Sequence, residues 1–348
     1  MNPAFSNTQA VEAWDMWFRW RERGQLRDLT IAATWERVVG CLTANTSGAG
    51  RAEYSRRLAD AFTAWSLLLD ERIVATAGTA NPSWPCSDLV AVLNLATFVR
   101  SPGQARASFD SMSIEDAAAL AVYALDDAAL RSPAAQSADN STATEAPVPR
   151  LRIGFVGFAD ALALLGVSYD SEEGRRHARQ IAQSLANGCL AGSIALARDR
   201  GPRVSCDEHW RNTSLERQYP LELVDCAMRY GLRYAALTAI TSQRRLATLA
   251  NNASDAIDSS PIDASPQSSG NIVSRRVAAN AGGAQDIEPG RPGTSVPAQL
   301  RMRSAMQPWI DERICYPATL TGQPDVAALN DWNQLAEKLD LAPLTLRR

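Results

Sequence analysis

The apolar positions of this chain recur mainly at the spacing of helices. Ile31, Trp35 and Val38 share one face of a helix, which we predict over residues 30–43. A second apolar stripe predicts a helix over residues 53–69, and such a stripe is more typical of core packing than of a cofactor site. The same periodicity predicts a helix that ends near residue 165 and further helices over residues 113–130, 171–200, 221–228, 298–315 and 326–339.

Four apolar runs lack the helical period and predict strands. Residues 89–99 (LVAVLNLATFV) have the length and β-branched content of a buried strand. Residues 151–155 and 234–240 predict two further strands, and the run 73–77 predicts a short strand before a glycine. The pattern as a whole predicts an α/β fold that is mainly helical.

Two stretches interrupt the apolar pattern and leave three ordered blocks. Residues 131–149 are rich in Ser, Ala, Thr and Pro, which predicts a flexible linker. Residues 259–297 contain many Pro, Gly and Ser residues, which predicts a low-complexity loop that is either disordered or functional.

Composition and charge exclude several classes of protein. The chain has 348 residues, of which 46% are hydrophobic and 21% charged, so neither wholesale disorder nor a fibrous repeat fits. Its 35 basic and 38 acidic residues give a net charge of −3, and we expect no nucleic-acid partner and no membrane partner. The longest apolar run is too short to span a bilayer.

The cysteines and histidines favour a cytoplasmic protein without a metal site. The 6 cysteines are scattered, with no C-x-x-C pair, and reduced buried thiols are the ordinary state for such residues in the cytosol. Neither of the 2 histidines has another ligand at metal-binding spacing. The N-terminal segment has early acidic residues and lacks the basic start and apolar core of a signal peptide.

A long motif begins at Arg152 and resembles a known enzyme family. Residues 152–202 open with RIGFVGFADALALLGVSYDSEEG. This run is similar to the R-I-G-x-G-x-x-G-x-A-D and L-G-x-x-Y-D-S-E-E motifs in the catalytic domain of ribonucleotide reductase large chains. The adenosylcobalamin-dependent (class II) enzymes resemble it most.

Other segments match the same family in the same order. They are WFRWRERGQLRDLTIAATWERV in the N-terminal region, ERIVATAGT at 71–79, NLATFVRSPGQARASF at 94–109, GLRYAALTAI at 231–240, NNASDAID at 251–258 and LRMRSAMQPWIDERI at 300–314. The resemblance implies a partial remnant of the ten-stranded reductase α/β barrel with an N-terminal helical region. We therefore expect a helical region over 1–79, a barrel-derived strand and helix over 80–130, the linker over 131–149, a barrel-derived α/β core over 150–258, the loop over 259–297 and a C-terminal helical remnant over 298–348.

The departures from the family decide the expected function. Relatives form a thiyl radical on the cysteine of an N-x-C-x-E finger loop, and no such motif occurs in this sequence. The second cysteine of the family's redox pair would align with Asp88, so Cys86 is either a slipped remnant or a structural thiol. The C-terminal C-x-x-C of relatives also has no match. We expect a chain that is catalytically inactive by itself.

One binding site still follows from the resemblance. The family's substrate-phosphate loop, P-T-G-T, aligns with residues 242–245, which makes Ser242, Arg244 and Arg245 candidates for phosphate binding. The alternative is that both arginines are exposed loop residues without a ligand. The next family motif, G-N-V-S-S-G-I-E, aligns with residues 251–258, and its second Gly and its Glu are replaced by Ala256 and Asp258.

These observations leave three hypotheses for function. In the first, the protein binds a nucleotide or a protein partner, which would be a true reductase subunit or a second copy of the chain. In the second, it retains adenosylcobalamin-dependent ribonucleotide reductase activity, completed in trans by a subunit that carries the finger loop. In the third, it is a decaying product without a selected function. The residues themselves indicate no cofactor, and adenosylcobalamin is implied only by the resemblance.

Overall fold

The structure, a computed structural model, describes residues 5–44, 49–104, 106–133, 150–259, 294–320 and 322–347. Most of them are helical. The helices are α1 (Thr8–Ala13), α2 (Ile31–Thr43), α3 (Ala49–Thr63), α4 (Glu71–Thr76), α5 (Ser111–Leu130), α6 (Phe158–Leu165), α7 (Glu172–Arg200), α8 (Glu208–Glu216), α9 (Leu221–Tyr230), α10 (Arg244–Leu249), α11 (Val296–Met306) and α12 (Val326–Lys338).

The strands form one four-stranded sheet and three small two-stranded sheets. They are β1 (Arg21–Glu22), β2 (Gln25–Leu26), β3 (Leu67–Leu69), β4 (Leu89–Asn94), β5 (Val99–Arg100), β6 (Ser108–Phe109), β7 (Arg150–Val156), β8 (Ala236–Thr238), β9 (Ala318–Thr319) and β10 (Leu346–Arg347). The main sheet has the order β3-β4-β7-β8, in which β3 is antiparallel to β4 while β4, β7 and β8 are parallel. The described strands do not close into a barrel.

The parallel strands are held by burial and by two long helices. All six residues of β4 are buried, which explains why its sequence is a continuous apolar run rather than an alternating one. Helix α5 connects β4 towards β7 and packs tightly on α7. A Cβ atom at Gly188 would lie 2.3 Å from the Glu115 carbonyl oxygen, so only glycine permits this approach of the two helices.

Several predicted elements are confirmed by the structure. Helix α2 begins after Thr30, whose hydroxyl accepts a hydrogen bond from the Ala33 amide at 3.2 Å. Helix α7 begins after Ser171, which accepts from the Gly174 amide at 2.9 Å. The strands predicted at 151–155 and 234–240 correspond to β7 and β8.

Two predictions in the first half of the chain are wrong. Residues 73–76 of the run 73–77 lie in α4 rather than in a strand, because Asp70 caps that helix by accepting from the Arg72 amide at 3.0 Å. The helix predicted over 53–69 ends at Thr63, and Leu67–Leu69 forms β3. Trp65 turns the chain there with φ +58°, and a short run of buried leucines has no period that separates helix from strand.

Other boundaries move for identifiable reasons. The strand predicted over 89–99 ends at Asn94 and continues as a 3₁₀ turn. Helix α5 starts at Ser111, before the predicted start at residue 113, because Asp110 caps it by accepting from the Ser113 amide at 3.2 Å. Helix α11 starts inside the predicted loop and ends at Met306 rather than at Cys315. Residues 134–149 and 260–293, most of the predicted linker and loop, lie outside the described residues.

The edge strand β8 is closed by a side chain. The carboxylate of Asp311 accepts hydrogen bonds from the backbone amides of Leu237 at 2.9 Å and Thr238 at 3.1 Å. Arg217 holds this carboxylate through a salt bridge of 3.0 Å. In the described part of the chain, no helix combines the length and apolar character needed to cross a bilayer.

Candidate functional site

The carboxyl ends of β4, β7 and β8 meet at one edge of the main sheet, where ligands commonly bind in open α/β folds. Strand β4 ends at Asn94, and β7 is followed by Gly157 with φ +74°. A Cβ atom at Gly157 would lie 2.6 Å from the Asn94 side-chain oxygen, so glycine lets the two strand ends approach. We call the polar groups at these strand ends, together with residues 242–258, the edge site.

A buried carboxylate holds the two sides of the edge site together. Asp160, in the first turn of α6, accepts a hydrogen bond from the Ser254 amide at 2.7 Å. The Ser254 carbonyl in turn accepts from the Gly157 amide at 2.7 Å. These two bonds fix the loop before Asp258 against the end of β7.

Asp255 occupies the centre of the edge site and is buried. One of its carboxylate oxygens accepts from the Ser242 hydroxyl at 2.5 Å and from the Tyr316 hydroxyl at 3.1 Å. The other accepts from the Gln243 backbone amide at 2.7 Å. Three donors thus converge on one internal anion, and hydrogen bonds to an ionised acceptor are about twice as strong as neutral ones.

A second carboxylate ties the C-terminal strand to the edge site. Arg347 of β10 forms a salt bridge with Asp258 and donates a hydrogen bond to the Tyr316 hydroxyl at 3.2 Å. Burial raises the pKa of Tyr316 well above its ordinary value, and the neighbouring Asp255 carboxylate adds to this effect. Tyr316 therefore remains a neutral donor across the physiological pH range.

A small cavity lies where β4 ends and α6 begins. Its volume is about 150 Å³, and Asn94, Asp160 and Asn251 contribute polar groups to its lining. The Asn94 side-chain oxygen is buried and has no hydrogen-bond partner, whereas the Asn251 oxygen accepts from the Ser6 amide at 2.8 Å. In the described residues, no group of three or more His, Cys, Asp or Glu side chains could hold a metal ion.

The three predicted phosphate-binding residues lie at the start of α10. Ser242 is already bonded to Asp255, and the Arg244 side chain is 62% exposed with its Nε 3.8 Å from the same carboxylate. Arg245 is directed elsewhere: its guanidinium pairs with Glu71 at 3.4 Å and lies 5.2 Å from the centre of the Trp17 ring. Phosphate binding at these residues stays a prediction, and Asp255 is the group with which a phosphate would compete.

Comparison with protein families supports the resemblance seen in the sequence. Residues 83–261, just over half of the chain, match the family described as ribonucleotide reductase, barrel domain. The chain belongs to this family. A search of curated proteins found no match. The ribonucleotide reductase relationship thus covers β4, β7, β8 and every loop of the edge site from Asn94 to Asp258.

In this ribonucleotide reductase-like chain, no cysteine lies among the described residues of the edge site. None of its six cysteines lies in the described segments that directly follow β4, β7 or β8. Cys86 is exposed and precedes β4, at the opposite end of that strand. Cys315, beside Tyr316, is also exposed, and its thiol donates to the Arg313 carbonyl at 3.3 Å.

The described residues of the edge site do not fit the chemistry of adenosylcobalamin. In relatives this cofactor serves to form a thiyl radical, which requires a cysteine close to the substrate. The side chains that meet here are carboxylates, amides, hydroxyls and arginines. They can bind and orient polar groups and exchange protons, but none of them is a thiol.

Sequence reasoning missed the residues at the centre of the site. Asp255 aligns with the second serine of the family's G-N-V-S-S-G-I-E motif. The replacement of a serine by a carboxylate could have pointed to a changed site. Tyr316 and Arg347 gave no such signal, because each joins the edge site only through the folding of the C-terminal segment.

Proposed function

We propose that this ribonucleotide reductase-like protein does not reduce ribonucleotides by itself and acts by binding a nucleotide or a protein partner. The observation that carries this proposal is the composition of the edge site. The Ser242 hydroxyl and the Gln243 amide, which would receive a substrate phosphate, are bonded to Asp255, and no cysteine follows the parallel strands in the described residues. We further propose that the four-stranded sheet is a partial remnant of the ten-stranded reductase barrel.

We place the phosphate of the nucleotide at residues 242–245, at the start of α10. A phosphate would bind the Ser242 hydroxyl, the Gln243 amide and the Arg244 and Arg245 side chains after the Asp255 carboxylate moves away. Both arginines are more than half exposed, so they can turn towards a ligand without breaking a buried contact. A bidentate arginine contact is the geometry that phosphate oxygens favour.

A turnover assay tests the lack of reductase activity. The purified full chain is incubated with ribonucleoside diphosphates and triphosphates and a dithiol reductant, with and without adenosylcobalamin. We expect no deoxyribonucleotide product, and product formed by the chain alone would refute the proposal. Product formed only after mixing with a subunit that carries the finger-loop cysteine would instead establish the alternative of a reductase completed in trans.

A thermal-shift measurement tests nucleotide binding. A ligand that binds only the folded state stabilises it by RT ln(1 + L/Kd), where L is the free ligand concentration, so the melting temperature rises with the logarithm of that concentration. We expect ribonucleotides to stabilise the wild-type chain and to lose this effect in the double variant Arg244→Ala plus Arg245→Ala. An equal shift in both proteins would contradict the assigned residues, and no shift in a cooperatively folded protein would eliminate the nucleotide.

A further inference from the structure

A second cavity lies among the helices, and it shares no lining residue with the small cavity at the edge site. Its volume is about 880 Å³, and α3, α5 and α7 supply its walls. Its polar lining comes from Glu53, Tyr54, Arg57, Tyr123, Asp127, Asp199 and Arg200, and aliphatic side chains of α5 and α7 complete it. We call it the helical cavity. Neither the family relationship nor the proposed function assigns it a role.

Two tyrosine rings form an angled wall of the helical cavity. The ring centres of Tyr54 and Tyr123 are 6.5 Å apart, and the ring planes are inclined at 57°. Arg200 lies over the Tyr123 ring at 5.8 Å, so this ring already attracts one cation. Two adjacent aromatic faces beside carboxylates are the arrangement in which proteins bind organic cations.

Asp127 is a buried carboxylate with an unused oxygen. Only 7% of the residue is exposed, and one of its oxygens pairs with Arg200 at 2.9 Å. The other oxygen and the Tyr54 hydroxyl are both buried and make no hydrogen bond of normal geometry, although the hydroxyl lies close enough to the carboxylate to lower its pKa. Burial also raises the pKa of Asp127, as expected for a carboxylate whose charge is incompletely compensated.

The remaining charges of the helical cavity favour a positive ligand over a negative one. Arg200 is already shared between Asp126 and Asp127, with salt bridges of 2.6 and 2.9 Å. Glu53 and Asp199 add two further carboxylates to the lining; they pair at the surface with the exposed side chains of Arg56 and Arg198, which a bound ammonium would replace. Asp199 also accepts a hydrogen bond from the Tyr123 hydroxyl at 2.9 Å. Arg57 opposes a cation, but it is exposed and can direct its guanidinium into water.

We propose that the helical cavity binds an aliphatic diamine or polyamine, with one ammonium group against the Tyr54 and Tyr123 rings and an N–H donated to Asp127. Glu53 and Asp199 then receive the other ammonium group. An ammonium fits because it supplies both a charge for the ring faces and donors for the unpaired oxygen. The cavity is large enough for such a chain, since small-molecule pockets measure about 300–1,000 Å³.

Titration calorimetry on the full chain tests this assignment, with spermidine and putrescine as probes. We expect saturable binding with a stoichiometry of one. Tyr123→Leu and Asp127→Asn should each weaken it by about tenfold, the effect of losing one desolvated cation–π or ionic contact. Tyr123→Phe keeps the ring and should change Kd by less than about threefold.

Two exposed variants keep the test valid if a buried variant fails to fold. Glu53→Gln should weaken binding and Arg57→Gln should strengthen it, because both side chains line the helical cavity and are exposed. Glu216→Gln, an exposed carboxylate on α8, is the matched control and should leave Kd unchanged. Absence of binding at millimolar spermidine, equal binding in all variants, or an equal effect of MgCl₂ at the same ionic strength would overturn the proposal.

Discussion

The edge site and the helical cavity contain the same residue types and use them differently. At the edge site, Asp255 receives three hydrogen bonds and Asp258 pairs with Arg347, so both carboxylates are satisfied internally. In the helical cavity, Asp127 is equally buried, but one of its oxygens makes no hydrogen bond of normal geometry. The comparison teaches that a ligand at the edge site must first displace a carboxylate from its internal partners, whereas a ligand in the helical cavity can donate to Asp127 directly.

The largest expected effect on stability comes from removing the charge of Asp126, which holds Arg200 in the wall of the helical cavity. Asp126 is fully buried and binds Arg200, Arg233 and Tyr234 at 2.6, 3.0 and 2.7 Å. Asp126→Asn should lower the free energy of unfolding by about 3–5 kcal/mol, because it leaves the buried Arg233 guanidinium without its counterion. Urea denaturation measures this. Asp199→Asn, at an exposed position, should cost less than about 1 kcal/mol, and similar losses in both variants would contradict the prediction.

The same anchor should make stability depend on acid pH. Burial alone would raise the pKa of Asp126, but hydrogen bonds from Tyr234, Arg233 and Arg200 outweigh it and hold the pKa below its ordinary value. A carboxylate with a lowered folded-state pKa contributes stability above its unfolded pKa of about 3.9 and loses it as pH falls through the folded value.

Denaturation at a series of pH values between 6 and 3 checks this dependence. The wild-type protein should lose stability below about pH 4 more steeply than Asp126→Asn. Asp127 has the opposite sign, since its raised pKa makes protonation on acidification favourable for the folded state. Asp127 shares Arg200 with Asp126, and the Asp126 charge contributes to its raised pKa, so the difference between the two curves reports the coupled pair. Parallel curves would refute the role of Asp126.

A smaller effect is expected from opening the edge site. Asp255→Asn removes the anion on which three donors converge and should cost about 1.5–3 kcal/mol, the usual value for hydrogen bonds to a charged group. The variant should also gain stabilisation by inorganic phosphate that the wild-type chain shows weakly or not at all. Asp340→Asn, which removes a highly exposed carboxylate, is the control and should do neither. A phosphate response that is the same in all three proteins would show that Asp255 does not close the site.

The smallest expected effect on the free energy of unfolding concerns the backbone at Ala256, next to Asp255. Ala256 has φ +47°, a left-handed conformation that costs a residue with a Cβ about 1–2 kcal/mol. Ala256→Gly should therefore raise the free energy of unfolding by up to about 1 kcal/mol after the entropy of glycine is subtracted. Ala253→Gly, in the same loop at a residue without positive φ, should destabilise instead. Destabilisation of both variants to the same extent would show that Ala256 is unstrained.

Sequence patterns predicted the elements that have long and regular periods. Helices α2, α7 and α12 and strand β7 lie within a few residues of their predicted bounds, since each combines a clear apolar pattern with a polar start signal or a buried run. The predictions for short elements were wrong. Residues 73–77 contain β-branched residues typical of a strand, but the cap supplied by Asp70 makes them helical.

The candidate site was predicted only in part, for a different physical reason. The resemblance to the family predicted Ser242, Arg244 and Arg245, which lie within four residues of one another in sequence. Their true partners come from far along the chain: Arg245 pairs with Glu71, and Ser242 shares Asp255 with Tyr316. Contacts of this range depend on how the whole chain folds, and no local pattern encodes them.

The carboxylate of Asp311 has a consequence for the behaviour of this protein at high concentration. Unpaired amides on an edge strand can pair with the same strand of another molecule, which is how soluble proteins begin to form fibrils. In this chain the amides of Leu237 and Thr238 are already bonded to Asp311. Asp311 thus protects a short, mostly buried strand from intermolecular addition, and its salt bridge to Arg217 keeps that protection in place.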